Sequence, residues 1–151
     1  MTGFAPRFGL AGPARVAFIS ATVIFMYTIV IGILNGTDIW DPEHDVLMSH
    51  VHSGTLGWVT LGVAAIALLV FSDGRSVDAT ERSRVATMTY ALIAAVVLYV
   101  LAFLAGDSIF EDRIQRPIVG TVLFVVVIWF LWWLVVQVRA PVVQLLHRAR
   151  V

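Results

Sequence analysis

Four long stretches of the chain contain no Asp, Glu, Lys or Arg, and this pattern constrains the fold more than any other feature. They cover residues 16–37, 46–72, 85–106 and 117–138. A helix needs about 20 apolar residues to cross the hydrocarbon core of a bilayer. Backbone groups in lipid must find their hydrogen bonds within the segment, so runs of this length predict helices. We expect an all-α membrane protein, residues 1–151 forming a single domain with four transmembrane helices.

The composition supports a membrane environment and excludes several functions. Of the 151 residues, 60% are hydrophobic and 13% are charged, more apolar surface than a soluble domain of this size can bury. The formal net charge is zero and no basic patch stands out, so no nucleic-acid partner is expected. The absence of Cys excludes disulfides, thiolate metal sites and covalent haem attachment.

The placement of the ten basic residues, all of them Arg, predicts the orientation. The first loop contains no Arg. Other Arg residues precede the first span, lie in or beside the second loop, or follow the fourth span, so both termini and the second loop are expected in the cytoplasm. Arg113 and Arg116, in the outward third loop, are exceptions.

The first span is too long for a signal peptide and predicts a retained helix. An Arg-only composition is typical of GC-rich bacterial genomes, and we expect the bacterial cytoplasmic membrane. The acids of the first loop are Asp38, Asp41, Glu43 and Asp45.

The end of the chain predicts contact with the inner membrane surface. Trp129, Trp132 and Trp133 fall toward the cytoplasmic half of the fourth span, where tryptophans commonly form an interfacial belt. Residues 139–151, "RAPVVQLLHRARV", predict a short cytoplasmic amphipathic tail whose arginines meet anionic headgroups.

Two histidines occupy an unusual position near the outer end of the second span, in "SHVHSGTLGW". Ionisable residues inside a membrane usually mark a functional site. Successive helix residues turn by about 100°, so the side chains of His50 and His52 point roughly 200° apart. They cannot chelate one ion on an intact helix, and the spacing predicts two separate sites or one site repeated by symmetry.

Two glycines follow on the side of the helix that carries His50. Gly54 and Gly57 stand four and seven residues after it, so they either clear space for a bulky planar ligand or allow close helix packing. Gly32 and Gly36, at the outer end of the first span, leave the same two alternatives.

The stretch "SHVHSGTLGW", residues 49–58, resembles the H-x-H helix in the catalytic subunit of the haem-copper oxidase superfamily. There the two histidines ligate two haems on opposite faces of the helix. The likeness covers about ten residues, on the second of four spans, and four helices are the size of one of that subunit's three arcs. It implies a non-covalent haem b with His50 and His52 as axial ligands. Iron held by two histidines is low-spin, passes electrons well and binds gases poorly.

The resemblance also implies an assembly. Three copies would form a homotrimeric ring similar to one oxidase subunit, with His50 of one protomer and His52 of its neighbour clamping each haem. A ring of this kind closes by symmetry. The expected partners are other copies of the chain, the lipid bilayer, and a quinol or redox protein as electron donor.

In the oxidases, arginines of the corresponding outward loop pair with haem propionates. The resemblance extends this role to Arg113 and Arg116, since the guanidinium group binds carboxylates through two parallel hydrogen bonds. The alternative is that they pair with Glu111 and Asp112 in a solvated loop.

The chain departs from the oxidases in one decisive respect. It lacks the three further histidines of the copper centre, so we assign no oxidase site and no enzymatic reaction. His44 either joins the acidic residues around it in a zinc or copper site or belongs to a solvated loop. Two other functions stay open: a membrane copper- or zinc-binding or transport protein that uses His44, His50 and His52, and an accessory subunit of a respiratory complex.

Overall fold

The computed structural model describes residues 9–106 and 114–148, and within them every regular element is helical. Four of these helices are long and apolar enough to cross a membrane. The predicted four-helix membrane fold is therefore confirmed for this part of the chain. The helices are α1 (Ala11–Gly36), α2 (His44–Val70), α3 (Ala79–Leu104) and α4 (Gln115–Arg148).

Helices α2, α3 and α4 begin before the charge-free runs, and polar residues occupy their first turns. Asp45 lies in the first turn of α2, although the sequence placed it in a loop. At the start of α3, the Asp78 carboxylate accepts a hydrogen bond of 2.7 Å from the Glu81 backbone N–H. Acidic groups are favourable there because they satisfy free N–H groups and the helix dipole.

The predicted tail is not separated from the fourth span. Helix α4 continues without a break to Arg148, so residues 139–148 prolong the membrane helix. The side chains from residue 140 onward lie outside the described part of the structure, and with them the predicted amphipathic face.

Helix α2 is built in three sections. It is α-helical from His44 to His52, π-helical from Ser53 to Val59, and α-helical again from Thr60 to Val70. A π-helix adds residues to each turn, is rare in proteins and is frequently found at functional sites. The wider section begins directly after His52, and nothing in the residue periodicity predicted it.

Small residues bring α1 and α2 close together. The buried positions of α1 include Ala14, Ala17 and Ala21, and those of α2 include Ala64 and Ala65. In a membrane, helices associate through close packing because lipid offers no hydrophobic drive. The small residues at these positions therefore favour close packing of α1 against α2.

The four helices are arranged unequally. Helices α1, α2 and α3 all contact one another, whereas α4 packs mainly against α3. Accordingly, only 17% of an 18-residue apolar stretch is buried in α1 and in α4, whereas 33% of the corresponding stretch is buried in α2 and in α3. Large apolar side chains such as Val23, Phe124 and Trp132 are exposed on the outer faces, as expected where lipid is the solvent.

Replacing Gly57 tests the α1–α2 contact. A Cβ atom at Gly57 would lie 2.7 Å from Cγ2 of Ile24. We expect Gly57→Ala to destabilise the protein by about 1–3 kcal/mol through overpacking, measured by thermal unfolding in detergent. Gly62→Ala is the matched control, because a Cβ there meets nothing within 4 Å. Equal losses of stability in the two variants would contradict this packing.

Candidate functional site

The His50 imidazole lies against α1. A Cβ atom placed on Gly32 would lie 3.1 Å from its Cε1 atom, so a larger residue there would require the ring to shift by a few tenths of an ångström. The ring is half-buried, and its Nδ1 atom is buried with no hydrogen-bond partner among the described residues. An unsatisfied buried polar group costs about 1–3 kcal/mol. Such a group is a candidate for binding something outside the protomer.

The His52 imidazole lies against α3 instead. Its ring stacks on Phe103 with centroids 4.0 Å apart, and Tyr99 meets it edge-on at 5.4 Å. Its Nδ1 atom is 2.7 Å from the backbone carbonyl oxygen of Met48. A carbonyl only accepts hydrogen bonds, so Nδ1 carries the proton and Nε2 keeps its lone pair. This is the usual arrangement of a histidine that ligates a metal through Nε2.

The two rings thus contact different helices, as the 200° separation between them predicted. His50 and His52 occupy the same turn of α2 but face α1 and α3 respectively. One protomer therefore offers two nitrogen donors on two sides of a helix. Among the described residues, no three His, Asp or Glu side chains gather as a metal site.

Hydroxyl groups fix the side of α2 that faces α1. The Tyr27 and Ser49 hydroxyls lie 2.5 Å apart, and those of Thr28 and Ser53 lie 2.9 Å apart. Ser49 and Ser53 are fully buried and bracket His50 in the sequence. Interhelical hydrogen bonds of this type commonly join membrane helices. Sequence reasoning missed them, although two serines four residues apart beside a histidine share one helix face.

The glycines after His50 do lie on its side of α2, as their spacing predicted. A Cβ atom at Gly54 would lie 3.3 Å from Cγ2 of Thr28, and one at Gly57 would be nearer still to Ile24. Side chains of α1 therefore fill the space beside both glycines within the protomer. This corresponds to the helix-packing alternative, and the room left near His50 comes from Gly32.

Arg116 is part of a different arrangement from either one predicted. It lies in the first turn of α4, and one of its Nη atoms donates to Asp45 at 2.6 Å. The guanidinium carbon is 4.7 Å from the centroid of the Phe103 ring, a favourable cation–π distance. Its Nε atom is buried with no partner among the described residues. Arg113, with Glu111 and Asp112, lies outside those residues.

A buried amide completes this polar group, which we call the α2–α4 clasp: Asp45, Gly106, Gln115 and Arg116. The Gln115 amide nitrogen donates to the Gly106 carbonyl oxygen at 2.5 Å. Gly106 has a φ of +53°, which only glycine adopts at no cost, and a Cβ there would lie 2.6 Å from a carboxylate oxygen of Asp45. The clasp joins the ends of α2, α3 and α4 on the side of the protein that carries the histidines.

His44 takes no part in these contacts. It is the exposed first residue of α2. The predicted alternative of a zinc or copper site around His44, Asp41, Glu43 and Asp45 is not formed in the described structure, because these groups do not gather around one point. Asp45 is paired with Arg116.

The donors of α2 fit a haem in their chemistry. Imidazole nitrogen is a common axial ligand of haem iron, and His52 has its Nε2 lone pair set free by the bond to Met48. His50 has a buried Nδ1 atom with no hydrogen-bond partner within residues 9–106 and 114–148. Because the two rings face apart, His50 and His52 of one chain cannot both bind the same haem iron.

Comparison with protein-family models, with curated proteins and with solved structures finds no match to this chain. The structure itself defines the class: the described residues are all-helical, with four helices long and apolar enough to cross a membrane.

Removing Arg116 tests the clasp. The Arg116 and Asp45 side chains are only 15% and 18% exposed, so losing the pair leaves a poorly solvated carboxylate. We expect Arg116→Gln to destabilise the protein by about 1–3 kcal/mol, measured by unfolding in detergent. The pair between Arg75 and Glu81, 37% and 23% exposed, is the comparison, and Arg75→Gln should cost about 1 kcal/mol or less. The reverse order would contradict a structural role for the clasp.

Proposed function

We propose that this protein is a small membrane cytochrome of the b type, which holds haem between protomers of a homotrimer through two histidines. One observation carries the proposal: two half-buried imidazoles leave the same turn of α2 toward different helices, one with its Nε2 freed by a backbone hydrogen bond. The proposed axial ligands are His50 of one protomer and His52 of the next. Since the chain has no Cys, the haem is non-covalent.

The proposed role is electron transfer. The haem supplies one-electron redox chemistry when bound, and two axial nitrogens leave no open position for a gas or a substrate. The protein's part is to hold the imidazoles in fixed orientations. Met48 sets the tautomer of His52 and Phe103 supports its ring face. A quinol or a redox protein is the proposed electron donor.

Arg116 is proposed to serve both the clasp and the haem. Its bond to Asp45 uses one Nη atom, whereas its buried Nε has no partner among the described residues. A haem propionate would supply the missing acceptor, because guanidinium and carboxylate form charge-assisted hydrogen bonds. Arg113 is proposed as a second propionate partner, on the resemblance to the oxidases alone.

The trimer and its orientation complete the proposal. Helices α1 and α4 are mostly uncovered, which leaves faces for neighbouring protomers as well as for lipid. The Arg distribution supports cytoplasmic termini and the bacterial cytoplasmic membrane. In this orientation the histidines lie near the outer boundary of the hydrocarbon.

The purified protein tests haem binding directly. We expect sharp Soret and α bands in the reduced-minus-oxidised spectrum, with one haem per chain. His50→Ala and His52→Ala should each lower haem retention at least about tenfold, because each removes an axial ligand. His44→Ala is the control and should retain full haem. A colourless preparation that holds zinc or copper would instead indicate the metal-binding alternative, and recovery only with other chains would indicate an accessory subunit.

Mixing the two histidine variants tests ligation between protomers. Each chain of His50→Ala still carries His52, and each chain of His52→Ala still carries His50. In a randomly mixed homo-oligomeric ring, about a quarter of the interfaces then regain both ligands, so co-expression should restore about a quarter of the haem. If both ligands came from one chain, co-expression would restore none. The mass in detergent should correspond to three chains and three haems.

A further inference from the structure

A cleft lies at the end of the bundle remote from the two histidines, between the start of α3 and the end of the apolar part of α4. Its volume is about 470 Å³. Arg84 directly precedes the charge-free run of α3, and Trp133 falls five residues before the end of the corresponding run in α4. The cleft is therefore at the boundary between hydrocarbon and headgroups. The residues that line it include Arg75, Glu81, Arg84, Trp129, Trp132 and Trp133.

The charges in this cleft leave an excess of one cation. Arg75 binds Glu81 through two parallel hydrogen bonds, of 3.1 Å and 2.5 Å, so these two charges neutralise each other. Arg84 also lines the cleft and has no ion-pair partner among the described residues. A guanidinium group free of carboxylates is suited to a phosphate, which it binds through two parallel hydrogen bonds.

A buried hydrogen-bond donor lies in the same wall. Trp133 is only 8% exposed, and its buried indole Nε1 atom has no hydrogen-bond partner in the part of the chain that the structure describes. The indole N–H is a donor only, so it requires an acceptor such as an anionic oxygen. The neighbouring Trp129 and Trp132, with Val136, provide apolar surface beside it.

We propose that this cleft binds the headgroup of an anionic phospholipid, with the phosphodiester at Arg84 and the indole N–H of Trp133 and the acyl chains along the apolar wall. A lipid is the occupant that supplies both an anionic acceptor and an apolar tail at this depth. The proposal concerns the end of α3 remote from Tyr99 and Phe103, and it does not depend on haem binding.

Lipid titration of the full-length protein in a neutral detergent tests the site. The probes are short-chain phosphatidylglycerol, short-chain phosphatidylcholine, glycerol phosphate and inorganic phosphate. Binding is followed by tryptophan fluorescence and by native mass spectrometry. We expect saturable binding of phosphatidylglycerol, at least about tenfold tighter than that of phosphatidylcholine, and no saturation by the two soluble phosphates at the same concentrations.

Three variants locate the binding. Arg84→Gln should weaken phosphatidylglycerol binding about tenfold, and Trp133→Phe about three- to tenfold, because the second keeps the ring and loses only the N–H donor. Arg82→Gln is the matched control: Arg82 is an exposed residue of the same turn that does not line the cleft, and its loss should leave the affinity unchanged. Because Arg84 is exposed, its variant is expected to fold normally.

The outcomes separate the alternatives. Equal affinity for the two phospholipids, or equal weakening by Arg82→Gln and Arg84→Gln, would overturn the site in favour of general surface attraction. Saturation by inorganic phosphate as readily as by phosphatidylglycerol would overturn the assignment to a lipid.

Discussion

The contact between α1 and α2 is the interaction on which the rest of the structure depends. It combines small residues, which let two membrane helices approach closely, with paired hydroxyls that hydrogen-bond in a medium without water. Gly32, Thr28 and Ile24 of α1 meet His50, Gly54 and Gly57 of α2 in that order. This close packing holds the His50 ring against α1, and its Nδ1 has no hydrogen-bond partner among the described residues. The placement of one proposed ligand therefore follows from a packing requirement.

The opposite face of α2 is held by different forces. Phe103 contacts both the His52 ring and the Arg116 guanidinium, so an aromatic side chain connects the histidine to the α2–α4 clasp. A charged side chain inside a membrane is costly unless it is paired. Arg116 and Asp45 meet that condition because they pair with each other. The clasp and the histidine thus share one aromatic neighbour, which ties the orientation of His52 to the packing of α4.

Part of the site could be predicted from the sequence because helical geometry is regular. The opposed directions of His50 and His52, both in the first α-helical section of α2, follow from the rotation of about 100° per residue. The partners of these residues could not be predicted in this way. Arg116 was expected to meet haem propionates or the acids of its own loop, and its bond to Asp45, which is 71 residues away, was not predicted. The π-helical section of α2 was also missed, because a local change of hydrogen bonding leaves no clear periodic signal.

The sequence by itself determined that the chain forms helices long enough to cross a membrane, because charge-free runs of this length have no other stable state in lipid. It also determined which face of α2 each polar residue occupies. The tertiary structure decided which helix each face meets, which of the four glycines gives room to a histidine, and which cations keep a free donor. Those properties depend on contacts between residues far apart in the chain, and local helix geometry carries no information about them.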